Sequence, residues 1–329
     1  MRLKPERIVD MHCDTISAIW ESRAAGNPQA LSENQLHVDL RKMRKSGYLL
    51  QSFAMFVDLR RDMDPFEYVM ALIDVFYEEL EKNKNDIRVA KTYDDILANE
   101  RQGRLSALLT IEEGGCCKGE IGNLEKLYAR GARMMTLTWN YPNELGCPNM
   151  VSEESPADFD GSRGLTPKGL DFLERMEELG MIVDVSHLSD AGFWDVARHC
   201  RRPFVASHSN ARAICAHRRN LTDEMIRAVA EHGGVIGLNY YGSFLDENEP
   251  EHSRVSKIAE HARHLMNVGG KECVGLGSDF DGMACALEME DCSKLERLIC
   301  EFERQKFTDE EIENILNRNV LRVYKEILR

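Results

Sequence analysis

What most constrains the fold of this chain is an alternation. Short apolar, β-branched runs are separated by longer segments in which apolar residues recur three and four apart. The runs are Ile8–Asp14, Leu49–Val57, Leu105–Glu113, Arg133–Asn140, Met181–His187, Phe204–His208, Val235–Tyr240 and Val274–Asp279. Helical periodicity fills Pro65–Glu81, Lys168–Leu179, Ala191–Arg198, Glu224–His232 and Ser256–Val268. Eight buried strands alternating with helices predict an α/β fold, the (β/α)8 or TIM barrel. An open doubly wound sheet is the alternative, but no glycine-rich phosphate motif follows any run.

A chain of 329 residues fits one such barrel, and no linker, repeat or low-complexity tract divides residues 1–329. Two segments exceed ordinary loop length, roughly 15–47, with an amphipathic stretch Leu36–Met43, and 141–165, rich in Pro, Gly, Ser and acid. Both follow strand C-terminal ends, where barrel enzymes carry their chemistry, so a lid or binding loop is expected at each. A final helix is expected at about 308–328, opened by the capping box Thr308 and Glu311.

Composition narrows the class. With 43% hydrophobic and 30% charged residues, collagen-like, coiled-coil and disordered chains are excluded. A net charge of −14 argues against nucleic-acid or anionic-membrane partners. No signal-peptide pattern, lipid-anchor signal or apolar run of spanning length occurs, and the ten cysteines form no C-x-x-C. A cytoplasmic protein with reduced thiols is the expectation.

The strand ends carry the chemistry. The first ends in His12-Cys13-Asp14, where residues two apart face one side and Cys13 faces the helices. The third ends in Glu112-Glu113-Gly114-Gly115, the fifth in His187, the sixth in His208, and the eighth in Asp279-Phe280-Asp281. Each alone reads as a capping or solvated group. A closed barrel gathers them on one ring, and imidazole with carboxylate is the ligand set of Zn²⁺ and similar ions. A His₂ site and a His/Asp site joined by a Glu make a two-metal centre that holds a hydroxide between the ions. Without cations, carboxylates crowded in the mouth repel one another. The remaining seven histidines sit in helical or loop contexts and are not assigned to metal.

At these residues the chain resembles the renal (membrane) dipeptidase family, peptidase M19, of the amidohydrolase superfamily. The resemblance runs through IVDMHCDT, LLTIEEGG, MMTLTWN, IVDVSHLSD, PFVASHSNARAICAHRRNLTDEMI and VGLGSDFDG, ending in NILNRNVLRVY. It implies a zinc-dependent dipeptidase with two Zn²⁺ per chain. His12 and Asp14 match the ligands of one zinc, and His187 and His208 those of the other. Glu113, the acid directly before Gly-Gly, matches the glutamate that bridges them together with a water or hydroxide; Glu112 then faces the other way. Arg219 matches the arginine that holds the substrate carboxylate, a task suited to a planar guanidinium. Asp279 matches the aspartate that takes a proton from the attacking water and passes it to the leaving amine. Tyr241 is a further pocket residue. Where mammalian members carry a strand-four histidine that polarises the scissile carbonyl, this chain has Trp139 followed by Asn140. One of these takes part of that role, or the metals polarise the carbonyl alone. The family also implies tolerance of a D-residue at the C-terminal position, and a homodimer. The rival readings are an N-acyl-amino-acid deacylase or another hydrolase on the same centre, and an inactive binding barrel.

Overall fold

The computed structural model describes residues 7–149 and 162–329. Eight parallel strands close into a barrel: β1 (Ile8–Asp10), β2 (Tyr48–Phe56), β3 (Leu105–Glu112), β4 (Ala132–Thr136), β5 (Ile182–Asp184), β6 (Val205–Ala206), β7 (Val235–Leu238) and β8 (Val274–Leu276). Around the ring the order is β2-β1-β8-β7-β6-β5-β4-β3, and pairing of β2 with β3 closes it. The fold is the expected (β/α)8 barrel, and every strand lies within or almost within its apolar run. Apart from β2, the ladders are shorter than the runs. Phe204–His208 keeps only Val205–Ala206 in the ladder.

Several helices form where period and caps coincide. Pro65–Lys82 starts with Pro65, and Asp64 Oδ1 accepts from the N–H groups of Phe66 and Glu67. Pro167–Leu179 repeats this with Thr166 as its cap. Three features depart from the sequence reading. A ninth strand, Ile87–Val89, pairs with Leu105–Ala107 of β3; three residues with Arg88 in the middle make no legible apolar run. The 15–47 segment folds into two helices, Thr15–Ala24 and Leu40–Ser46. The final helix is divided into Asp309–Glu313 and Asn319–Ile327 by a π-helical turn, Asn314–Arg318, although the Thr308/Glu311 capping box forms as expected. Of the 141–165 segment, residues 150–161 lie outside the described residues, and an antiparallel bridge between Gly146 and Leu165 ties its flanks.

The barrel interior has two layers. At its N-terminal end Val9, Met11, Leu50, Leu108, Met134, Ile182, Val205 and Val235 pack against Val320, Val323, Tyr324 and Ile327 of the last helix. That helix stoppers the barrel, and its Tyr324 hydroxyl hydrogen-bonds Ser52 at 3.0 Å. Above the apolar layer the interior turns polar. Register places Phe56, Glu112, Thr136 and Asp184 in one row at the C-terminal rim. Among the described residues, no helix is long and apolar enough to cross a membrane.

Candidate metal centre and active site

Strand alternation decides which side chains reach the axis. Within β3, Ser106, Leu108, Thr110 and Glu112 share one face and Ala107, Leu109 and Ile111 the other. Leu108 lies in the interior cluster, so Glu112 points into the mouth. Its Oε1 lies 3.1 Å from His187 Nε2 and 3.6 Å from His208 Nε2, and its Oε2 lies 3.5 Å from His12 Nε2. This corrects the assignment of Glu113, which faces the opposite way. Glu113 is fully buried with φ +102°, and its carboxylate accepts from the N–H groups of Gly115 (2.7 Å) and Trp139 (2.9 Å) and from the Asn143 amide. It clasps the β3 turn to the β4 end and touches none of the imidazoles' ring nitrogens. The polar residues Ser106, Thr110 and Glu112 share one parity, a pattern in the sequence that favours Glu112 over the acid before Gly-Gly.

The other expected residues converge. His12 Nε2 lies 3.3 Å from Asp14 Oδ2 and 3.9 Å from Asp279 Oδ1, and His187 Nε2 lies 2.9 Å from His208 Nε2. Cys13 packs outward in the layer between strands and helices, as expected. His187 (φ +71°) and Asp279 (φ +63°) adopt left-handed backbone just past their strands, turning their side chains toward the axis. Such conformations cost about 1–3 kcal/mol each and persist where surrounding structure enforces them. Gly282 is required by close approach: a Cβ there would lie 2.2 Å from Asp14 Oδ2 and 2.6 Å from Asp279 Oδ1.

Residues not singled out in the sequence, together with Asn140, orient these groups. Asp184 accepts from the N–H groups of Ser186 (3.0 Å) and Ser207 (2.9 Å) and from the hydroxyls of Thr136 (2.7 Å) and Ser207. With its hydrogen given to Asp184, Ser207 Oγ accepts from His208 Nδ1 at 2.7 Å. His208 therefore presents the Nε2 lone pair to the centre. Asn140 Oδ1 does the same for His187, accepting from Nδ1 at 2.9 Å. Asn140 is thus a pocket-lining residue whose carbonyl orients an imidazole. Asn239 takes the Tyr241 N–H on Oδ1 (2.7 Å), which leaves Nδ2 to donate to Asp279 Oδ2 (2.9 Å).

Electrostatics make the centre a candidate cation site. Burial, then the neighbouring Glu112 charge, pushes the Asp14 carboxyl up to about 8, and burial pushes Asp279 up to about 6. Burial would lower His12, but Glu112 and Asp14 outweigh it and hold the imidazole well above its ordinary value. Burial drives His187 down to about 4 and His208 well below its usual range. Asp14 Oδ1 is buried without a hydrogen-bond partner. Ligand atoms of His12, Glu112 and His208, and of His12, Asp14 and Asp279, lie within 4.8 Å of one another. Facing imidazole lone pairs, crowded carboxylates and an orphaned oxygen all fit divalent cations, which would relieve each conflict together.

Beside the cluster opens a cavity of about 290 Å³, lined by Asp14, Phe56, Trp139, Asn140, Arg219 and Tyr241 among others. A larger hollow of about 500 Å³ lies on the helical layer around Glu174, Glu177 and His199, remote from the strand ends. Arg219 is 1% exposed and lies on the loop after β6. It gives long hydrogen bonds to Ser209 Oγ (3.4 Å) and the His208 carbonyl (3.2 Å), and its Nε has no partner. Burial lowers its pKa to about 10, partly offset by Asp279. Among the described residues, no carboxylate forms an ion pair with it. The Tyr241 ring packs edge-on to Phe244 at 4.9 Å and lines the same side.

Comparison with known proteins identifies the family of this barrel. Residues 3–329 match the family model of membrane dipeptidase, peptidase family M19. An uncharacterized dipeptidase of Schizosaccharomyces pombe is 33% identical over 303 residues, spanning 88% of this chain and 72% of its own length. Among solved structures, the metallopeptidase dipeptidase AC superposes with a TM-score of 0.90 at 24% identity over 99% of each chain. A Rhodobacter sphaeroides metallopeptidase liganded with a phosphinate mimic of L-Ala-D-Ala gives 0.89 at 23% identity, over 98% of this chain and 99% of its own. The chain belongs to the membrane dipeptidase family of metallopeptidases, peptidase family M19.

Proposed function

We propose that the protein hydrolyses dipeptides bearing a free C-terminal carboxylate, and that His12, Asp14, Glu112, His187 and His208 would hold two Zn²⁺ for that reaction. The observation that carries this reading is Arg219. A guanidinium buried without a countercharge is costly unless a ligand supplies one, and its place in the lining of the small cavity that His187 also lines suits a substrate carboxylate. Bound cations supply Lewis acidity and a water nucleophile at neutral pH. The chain's own part is to fix the carboxylate at Arg219, to hold Asp279 through Asn239, and to move a proton at Asp279 from the nucleophile to the departing amine. Placing the anchor so near the scissile bond favours two residues over longer chains. The Rhodobacter protein's phosphinate mimics a D-residue at the C-terminal position, which supports including that stereochemistry among the substrates.

The test is a panel of L,L and L,D dipeptides beside N-acyl amino acids and lactones, run with metal analysis. Dipeptide turnover that chelation abolishes and Zn²⁺ restores is expected. Turnover of N-acyl amino acids or lactones alone would overturn the reading.

Two results check the ligand assignment. Glu112→Gln should lower bound metal, whereas Glu113→Gln should retain it and lose stability because its new amide nitrogen faces either the Trp139 N–H or the Gly115 and Asn143 donors; the reverse pattern would restore Glu113 as the ligand. Ser207→Ala releases the His208 tautomer and should weaken metal binding about 10–100-fold, as measured against a competing chelator. An unchanged affinity would remove Ser207 from that role.

A further inference from the structure

The two sides of the cavity differ in chemistry, and barrel order places them opposite one another. Arg219, Tyr241 and Phe244 follow β6 and β7. Across the ring lies β3 with Glu112, flanked by β2 and β4, whose ends carry Phe56 and Trp139. The rings of Phe56 and Trp139 meet edge-to-face with centroids 4.7 Å apart, and Tyr141 continues the row 5.4 Å from Trp139. The Arg60 guanidinium lies 4.3 Å from the centroid of the Tyr141 ring. All three rings are partly exposed, and the first two line the cavity.

This face is held before any ligand arrives. The Trp139 backbone N–H donates to the buried Glu113 carboxylate at 2.9 Å, and the same carboxylate accepts from the backbone N–H of Gly115. Glu113 thus fixes the backbone from which the indole projects, and the Phe56 and Tyr141 rings flank the indole itself.

We propose that the Phe56–Trp139 wall is the subsite for the N-terminal side chain, and that it selects dipeptides whose N-terminal residue is apolar, above all aromatic. This inference rests on the dipeptidase reading above. A dipeptide with its carboxylate at Arg219 and its scissile carbonyl over the cluster extends onward by about 3.3–3.6 Å per residue. That direction leads away from β6–β7 and onto the rings of β2 and β4. A large apolar side chain there loses water against a fixed aromatic face and gains ring-edge contacts. An acidic side chain gains nothing from the rings and enters a mouth already crowded with Asp14, Glu21, Asp279 and Asp281.

The experiment compares kcat/KM for L-Phe-L-Ala, L-Leu-L-Ala, Gly-L-Ala and L-Asp-L-Ala, with L-Phe-L-Ala amide as the anchor control. The Phe and Leu substrates should exceed the Gly and Asp substrates by about tenfold or more, the size expected for filling an apolar subsite. Trp139→Ala should compress that ratio to about threefold or less, while Trp139→Phe, which keeps a ring, should preserve the order. The free acid should still be preferred over the amide in both variants. If Trp139→Ala unfolds, Phe56→Ala gives the same reading from the other ring. Dipeptides hydrolysed with a flat or acid-preferring order, or a ratio unmoved by loss of the rings, overturn the subsite alone. Failure to hydrolyse any dipeptide, or equal turnover of acid and amide, overturns the dipeptidase reading beneath it.

Discussion

Asp279→Asn should lower kcat by about 10²–10⁴ while the purified protein keeps its metal content and melts near the wild-type temperature. The expectation follows from how the carboxylate is held. Asn239 donates to Oδ2 at 2.9 Å, its own orientation set by the Tyr241 N–H, while Oδ1 faces His12 at 3.9 Å. Burial raises the carboxyl to about 6, which brings its proton affinity toward that needed to accept and return a proton near neutrality. An amide of the same shape keeps the packing but cannot carry that proton. Full turnover in the variant would remove the shuttle role. Loss of one metal equivalent would instead make Asp279 a ligand, a role its proximity to His12 and Asp14 also permits geometrically.

The second large effect is expected at Arg219. Arg219→Met should reduce kcat/KM for dipeptides by about 30-fold to several thousand-fold, the cost of truncating one member of a buried charge pair at about 2–5 kcal/mol. It should also erase the preference for a free acid over the corresponding amide. Thermal stability should move the other way. The free protein buries this guanidinium at 1% exposure with Nε unpartnered, so an apolar side chain of similar length relieves a desolvation cost. A melting temperature equal to or above wild type, with activity lost, is the expected pair of results. Retained discrimination against amides would move the anchor elsewhere.

The family motifs located most of these groups by position in the chain but not by their orientation. Glu112 and Glu113 illustrate the difference. The β3 run is apolar enough to be buried on both faces, so hydrophobicity alone does not say which acid faces the axis. The inward parity of Ser106, Thr110 and Glu112 becomes decisive only once β3 is seated between β2 and β4. Asn140 shows the same limit: adjacency to Trp139 suggested a substrate role, whereas its carbonyl holds His187. Ser207, Asp184 and Asn239 carry no motif of their own, because orienting an imidazole or a carboxylate needs only an acceptor or donor at the right point in space.

From the sequence alone follow the eight strands, their helices, the capping box at Thr308, and the gathering of His12, Asp14, His187, His208 and Asp279 at one end. These depend on local periodicity and on strand ends, properties of short stretches of chain. Only the tertiary structure decided between Glu112 and Glu113, set the tautomer of His208 through Ser207 and Asp184, left Arg219 buried without a countercharge, and placed the Phe56–Trp139 wall opposite it. Those outcomes depend on register between strands and on which polar groups remain unmatched after packing. Both are properties of the closed barrel and of no single segment.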